Sequence, residues 1–324
     1  MRYNVYITRP IPEAGMAILR PACEPLDVGP EDRRLSPDEL AAAVRGRDGV
    51  LCSVADDIDA AVLDAATPTC RVFANFGVGV NHIDLKAAAR VGITVTNTPG
   101  VLTDATADLT WTLILATARR VPEGMALLRS GNWKGWTPTQ LLGHDVTGRT
   151  LGILGAGRIG TAVGQRAASF RMPLLYVDQR ENKVLDRVGA RRVGLDECLS
   201  SSHFVSLHVP LTLQTRRLIG PREFSLMRPD GILINTSRGE VVDEAALVEA
   251  LRERRIAAAG VDVYEREPRV PAALLGLPNV VCLPHLGSAT TGTRSAMAEL
   301  AAADLLRVLN GEPPRHRVSI AKES

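Results

Sequence analysis

The sequence predicts an α/β protein made of two doubly wound parallel-sheet domains. Three observations carry that expectation. Short β-branched runs alternate with helical stretches along the chain, as βα units around parallel sheets do. One such run, Thr150-Leu151-Gly152-Ile153-Leu154, leads through a glycine-rich turn into an apolar helix. The 324 residues exceed what a single core of ordinary size holds.

In chain order, strands are expected at Val5-Tyr6-Ile7, Gly49-Val50-Leu51-Cys52 and Val72-Phe73-Ala74. Helices fit residues 12–19 and 37–44, each with a proline near its first turn. Ile93-Thr94-Val95-Thr96 is another strand, punctuated by Pro99-Gly100. A long helix follows over 103–119, acidic in its first half (Asp104, Asp108) and closed by Arg119-Arg120, so both ends complement the helix dipole. After a Gly- and Trp-rich loop, further strands are expected at 150–154, 174–178, 204–208, 232–235, 258–262 and 280–283. A last helix over 293–309 has no strand after it, and on these grounds it could pack on either domain.

Composition narrows the function. Hydrophobic residues make up 45% and charged residues 23%, the balance of a soluble globular protein. A formal net charge of +2, with only isolated arginine pairs, argues against a nucleic-acid partner, which a basic stripe would mark. No run approaches the ~18 apolar residues that span a bilayer, and the first ten residues read as a strand closed by Pro10, not as a signal peptide. The five cysteines form no Cys-x-x-Cys or Cys/His cluster, so no metal is expected. They read as the reduced, small hydrophobes of a cytoplasmic protein.

Gly155-x-Gly157-x-x-Gly160 stands between a strand and a helix, and Asp178 ends the next strand 18 residues after Gly160. Gly155 permits the tight turn, Gly157 lets a pyrophosphate approach the backbone, and Gly160 allows close helix–strand packing. The helix N-terminus then offers unpaired N–H groups to the pyrophosphate. Asp178 suits the adenine-ribose hydroxyls and repels a 2′-phosphate, which favours NAD(H). Arg180, two residues on, could pair with that phosphate and keeps NADP(H) open.

Arg238, Glu267 and His285 each sit just past the end of a late strand. Ligands of open α/β sheets bind outside the carboxyl ends of strands, so the three side chains can converge. Their chemistry suits the reduction of a 2-keto acid. Arg238 can hold the carboxylate and polarise the carbonyl. Protonated His285 can donate to the oxygen as hydride reaches C2. Glu267, bonded to the other ring nitrogen, would orient the imidazole and favour its charged form.

These residues stand in longer stretches: Asn75-Phe76-Gly77-Val78-Gly79-Val80-Asn81-His82-Ile83-Asp84, Asn235-Thr236-Ser237-Arg238-Gly239, Gly260-Val261-Asp262-Val263-Tyr264-Glu265-Arg266-Glu267-Pro268 and Leu283-Pro284-His285-Leu286-Gly287. With separations of 29 residues from Arg238 to Glu267 and 18 from Glu267 to His285, the chain resembles the D-isomer-specific 2-hydroxyacid dehydrogenases over essentially its whole length. The resemblance implies a Rossmann nucleotide domain over 100–286. It also implies a flavodoxin-like substrate domain made of 1–99 and 287–324, a hinged cleft between the two, and a homodimer. It gives Arg238, Glu267 and His285 the roles argued above, and places Val54, Val78, Gly79 and Trp136 with Arg238 at the substrate. The Val78 and Gly79 amides would take the substrate carboxylate. Thr106, Arg158, Ile159, His208, Pro210, Thr215, Thr236, Asp262, His285 and Gly287 would join the three glycines and Asp178 around the cofactor, Asp262 at the nicotinamide carboxamide.

Within the family, residues 101–108, 51–54 and the Trp133–Trp136 loop look most like the glyoxylate and hydroxypyruvate reductases. In those, the second tryptophan of the loop enters the partner subunit's active site. Trp136 matches it, and an aromatic packed in the dimer core is the equal alternative. Asp178 departs from many of these reductases, which carry a small residue there and use NADPH. Rival activities are another family substrate, such as phosphoglycerate or a lactate-like acid, and a nucleotide-sensing, corepressor-like binding protein. Glu267 argues against the formate branch, which carries Gln. A chain ending at Ser324 argues against the extra regulatory domain of many phosphoglycerate dehydrogenases.

Overall fold

The structure is a computed structural model that describes residues 2–319; Met1 and residues 320–324, ends of the expected first domain, lie outside the described residues. Its contacts divide the chain into two units. One runs to Leu102 and resumes at Ser288, and the other is Thr103–Gly287.

The first unit carries five strands: β1 (Tyr3–Ile7), β2 (Cys23–Val28), β3 (Gly49–Ser53), β4 (Val72–Phe76) and β5 (Thr94–Thr96). All pair in parallel, in the order β2-β1-β3-β4-β5 of flavodoxin-like sheets. Alternation along the strands loads both faces. Val50, Cys52 and Phe73 pack on one side with Leu40, Val44, Val62 and Leu63. Leu51, Val72 and Ala74 pack on the other with Ala301, Ala302, Leu305 and Leu309 of the helix Thr291–Leu309. The last helix therefore belongs to this unit, where Thr290 caps it by accepting the Thr293 N–H. β2 is not anticipated by the sequence reading. It is an edge strand exposed along most of its length and interrupted by Pro25, so it lacks the alternation that reveals a strand.

The second unit carries β6 (Leu151–Leu154), β7 (Leu174–Val177), β8 (Arg191–Arg192), β9 (Phe204–Leu207), β10 (Ile232–Asn235), β11 (Ala258–Val261) and β12 (Val280–Cys282). They form one parallel sheet in the order β12-β11-β10-β9-β6-β7-β8. Counted from β6, this is the Rossmann order 3-2-1-4-5-6 with one strand added. The order reverses between β6 and β9, so a crevice is expected beyond their carboxyl ends. The helix Thr103–Ala118 covers one face, burying Leu113 and Ile114. Its Trp111 stacks on Phe170 at 4.5 Å and donates its indole N–H to the Val163 carbonyl. Arg120 then adopts a left-handed conformation (φ 53°), and the helix Val121–Arg129, absent from the sequence reading, follows with no buried residue.

No described helix is long and apolar enough to cross a membrane.

Candidate active site

β6 delivers the glycine turn to the switch point. Gly155 has φ +94°, and a Cβ there would lie 2.7 Å from the His208 carbonyl carbon at the end of β9. Only glycine meets both conditions, so this residue brings the two strand exits together. Gly157 precedes the helix Arg158–Ala167, and among the described residues no side chain caps that helix. Its first-turn N–H groups, from Arg158 and Ile159 onward, therefore lack intrahelical partners. A Cβ on Gly157 would meet nothing within 4 Å, so the space before these donors is clear. Such a cradle fits a dinucleotide pyrophosphate.

β7 ends at Val177, so Asp178 stands one residue beyond the strand instead of closing it. There its carboxylate accepts the Ala156 N–H at 2.8 Å and the Arg180 N–H at 3.1 Å. Each oxygen keeps lone pairs for a ligand hydroxyl. Two groups to which the sequence gives no site role, one of them in the Arg191-Arg192 pair expected as a solvated face, hold this corner. The Asn182 amide donates to the Ala156 carbonyl at 2.8 Å and to the Thr161 hydroxyl at 2.7 Å. The Arg192 guanidinium donates to the carbonyls of Asp178 and Gln179 at 3.0 and 2.9 Å.

After β9, the His208 Nε2 lies 2.9 Å from the buried Ser206 hydroxyl. Burial drives its pKa down to about 3, so the ring is neutral. Pro210 and Thr215 follow in one turn, where the Thr215 hydroxyl accepts the Thr212 N–H at 2.8 Å. Thr236, past β10, shares a hydrogen bond of 2.9 Å with Thr110. Thr106 is buried on the same helix as Thr110.

The late strand ends carry Arg238, Glu267 and His285. The Asn235 side chain grips the exit of β10: its amide donates to the Arg238 carbonyl at 2.9 Å, and its oxygen accepts from the Ser237 N–H and hydroxyl. Arg238 donates through Nη1 to the Ser237 carbonyl at 2.7 Å. Burial lowers its pKa against the support of the Glu267 and Glu240 charges, and a guanidinium remains charged at neutral pH. A Cβ on Gly239 would fall 1.9 Å from the Tyr264 carbonyl carbon. Backbone contact at that point brings the exits of β10 and β11 together.

Glu267 follows β11. Its Oε1 accepts the Tyr264 N–H at 3.1 Å, and its Oε2 lies 2.8 Å from the His285 Nδ1. Burial raises the Glu267 pKa, but His285, the Tyr264 N–H and the Arg238 charge outweigh it and hold the carboxyl below its usual range. His285 has φ +56°, a left-handed conformation that is uncommon outside glycine. Asp262 stabilises this bend. It is 1% exposed, its carbonyl accepts the His285 N–H at 2.9 Å, and its carboxylate accepts the Leu286 and Gly287 N–H groups at 2.7 and 2.8 Å. Burial raises the Asp262 pKa. Tyr264 adds a strut: its hydroxyl donates to the Leu283 carbonyl at 2.8 Å, tying the β11 exit to the β12 exit.

In the first unit, Val54 follows β3 and lies beside Gly77, where a Cβ would fall 2.5 Å from the Val54 side chain. Val78 and Gly79 follow β4, and among the described residues neither N–H has an acceptor. Trp136 is 81% exposed.

Residues 111–287 match the model of the D-isomer specific 2-hydroxyacid dehydrogenase, NAD binding domain. The chain belongs to the D-isomer-specific 2-hydroxyacid dehydrogenase family. Among its relatives, glyoxylate reductase of Thermococcus gammatolerans is 48% identical over 319 residues, covering 97% of this chain and 95% of that one. A crystal structure of a Thermus thermophilus protein superposes with a TM-score of 0.90 at 45% identity, covering 98% of this chain and 100% of that one. The NADPH-dependent glyoxylate/hydroxypyruvate reductase of Sinorhizobium meliloti, crystallised with NADP and malonate, has a TM-score of 0.86 at 34% identity, covering 98% and 97%. Family membership identifies the protein as an NAD(P)-dependent oxidoreductase acting on 2-keto and 2-hydroxy acids.

Proposed function

We propose that this 2-hydroxyacid dehydrogenase reduces glyoxylate or hydroxypyruvate to the matching 2-hydroxy acid, of D configuration where C2 is chiral. The observation that carries the reading is the His285–Glu267 pair, held at 2.8 Å beyond the strands of a Rossmann sheet. Full-length identity to glyoxylate reductases supports the choice of substrate.

A bound NAD(P)H supplies the hydride. The chain's own residues do the rest. Arg238 neutralises the carboxylate and polarises the carbonyl. The Val78 and Gly79 N–H groups take the carboxylate oxygens. Glu267, ionised, fixes Nδ1 of His285 as a proton donor and stabilises the imidazolium. Nε2, which has no hydrogen bond among the described residues, delivers the proton to the product oxygen. The glycine turn and the amides from Arg158 onward hold the pyrophosphate. Asp178 holds the adenine ribose and favours NADH. Asp262 positions His285, and its remaining lone pairs serve the carboxamide.

The chain acts as a homodimer in this reading. Val121, Met125 and Leu128 on the helix Val121–Arg129, with Trp133, Trp136 and Leu142 after it, are exposed apolar side chains close in sequence. The five free cysteines, four of them buried, suit a reducing compartment such as the cytoplasm. A panel of 2-keto acids assayed with NADH and with NADPH tests the substrate and cofactor. Sedimentation tests the dimer. Highest kcat/KM for a larger keto acid, or none for any, would reject the substrate choice.

A further inference from the structure

The Gly77–Val78 and Val78–Gly79 peptides are trans, so in each the carbonyl and the N–H point in opposite directions. Every carbonyl of this turn is held from within its own unit. The Gly77 carbonyl accepts the Thr98 N–H at 3.0 Å and the Asn75 amide at 3.1 Å. The Val78 carbonyl accepts the Asn97 amide at 2.8 Å, and the Gly79 carbonyl accepts the Asn75 amide at 3.0 Å. Pinning the Val78 carbonyl to Asn97 fixes the Gly79 N–H, which points the opposite way in the same peptide plane.

Asn97 is itself held by a C-terminal strap. Its N–H donates to the His316 carbonyl at 3.2 Å, and the Val318 N–H donates to the Val95 carbonyl at 2.8 Å. The strap is anchored in turn by Asp304, which is 1% exposed. That carboxylate accepts the Arg315 N–H at 2.8 Å and the His316 N–H at 3.0 Å, and lies 2.9 Å from the His316 Nδ1.

We infer that Asn97 is a positioning residue for substrate binding, aiming the Gly79 N–H at the carboxylate, and that the 315–318 strap holds Asn97 in place. The inference rests on the proposed reading of the Val78 and Gly79 amides as carboxylate ligands. Its physical content is preorganisation: donors fixed before the ligand arrives need no reordering when it binds.

The test uses full-length Asn97→Ala, which removes the donor, and Asn97→Asp, which keeps the volume but faces a carbonyl with a carboxylate. The probe is oxamate, a carboxylate-bearing mimic of the keto acid. For both variants, KM for glyoxylate and Ki for oxamate should rise roughly tenfold, the scale of one hydrogen bond. kcat, NADH affinity and melting temperature should stay near wild type. Asn97→Ser, which restores a donor, should recover part of the loss. Unchanged KM and Ki in either folded variant overturns the inference. So does a parallel loss of kcat, NADH affinity and melting temperature, which would mark Asn97 as merely structural. Should Asn97→Ala fail to fold, the isosteric Asn97→Asp decides alone by the same criteria. A wild type that neither reduces the keto acids nor binds oxamate removes the underlying reading, and the inference falls with it by a distinct result.

Discussion

The His285 Nδ1 lies 2.8 Å from the Glu267 Oε2, although the two residues are 18 positions apart and leave different strands. A left-handed backbone at His285 and the Asp262 clamp on the next two N–H groups make that approach possible. The pair fixes which ring nitrogen carries the orienting hydrogen bond and which, in the proposed reading, faces the substrate.

Glu267→Gln keeps the shape and replaces the carboxylate that orients the His285 ring through Nδ1. Glu267 titrates below the usual carboxylate range, so in the wild type it stays ionised as the pH falls from neutrality and is lost only at acid pH. The variant should show a lower kcat for keto-acid reduction and lose the part of the acid limb that protonation of Glu267 gives the wild type. Superimposable profiles of kcat/KM against pH would remove Glu267 from the mechanism.

Arg238→Lys replaces a planar fork with a point charge. Losing hydrogen bonds to a charged group costs about 1.5–3 kcal/mol, so kcat/KM should drop roughly 10- to 150-fold. Steady-state kinetics checks this; near-normal kcat/KM would assign Arg238 to structure alone.

Asp178→Ser should move cofactor preference toward NADPH, because it removes a carboxylate that would repel a 2′-phosphate and leaves Arg180, two residues on, to pair with it. The structure adds a cost: the Ala156 N–H loses its acceptor. NADH use should therefore fall by more than lost ribose bonds alone would cause. The measurement is kcat/KM with both cofactors in both proteins. A wild type preferring NADPH would show that Arg180 outweighs Asp178.

His208 links burial to acid stability. Its folded pKa of about 3 lies below the ordinary 6.5, so the unfolded chain binds the extra proton between those values. Stability is then fully present above about 6.5 and declines as the pH falls toward 3. His208→Gln removes that proton site and should flatten the decline. Urea unfolding across this pH range measures it, and an unchanged slope would mean that other groups dominate.

Much of the candidate site was legible because its motifs are local. Gly155, Gly157 and Gly160 are close in sequence, and Asp178 follows at the distance one helix and one strand require. Arg238, Glu267 and His285 were legible as polar groups just past apolar runs. Their supports were not. Asn182, Arg192 and Tyr264 act through backbone contacts that no periodicity announces. The Asn97 bond to Val78 and the strap across 315–318 join segments without apolar alternation. β2 was hidden because an exposed edge strand has no buried face to pattern. The strand orders were reachable only through the family resemblance, since they arise from pairing between distant segments.

The most direct test of the account is His285→Ala beside the wild type, with glyoxylate and hydroxypyruvate as substrates and NADH binding followed separately. The wild type should turn over both keto acids. The variant should lose roughly 10²–10⁴-fold in kcat, the usual scale for a missing general acid, while binding NADH as the wild type does. Undiminished turnover in the variant, or a collapse of NADH binding with normal turnover of the bound enzyme, would contradict the role given to His285.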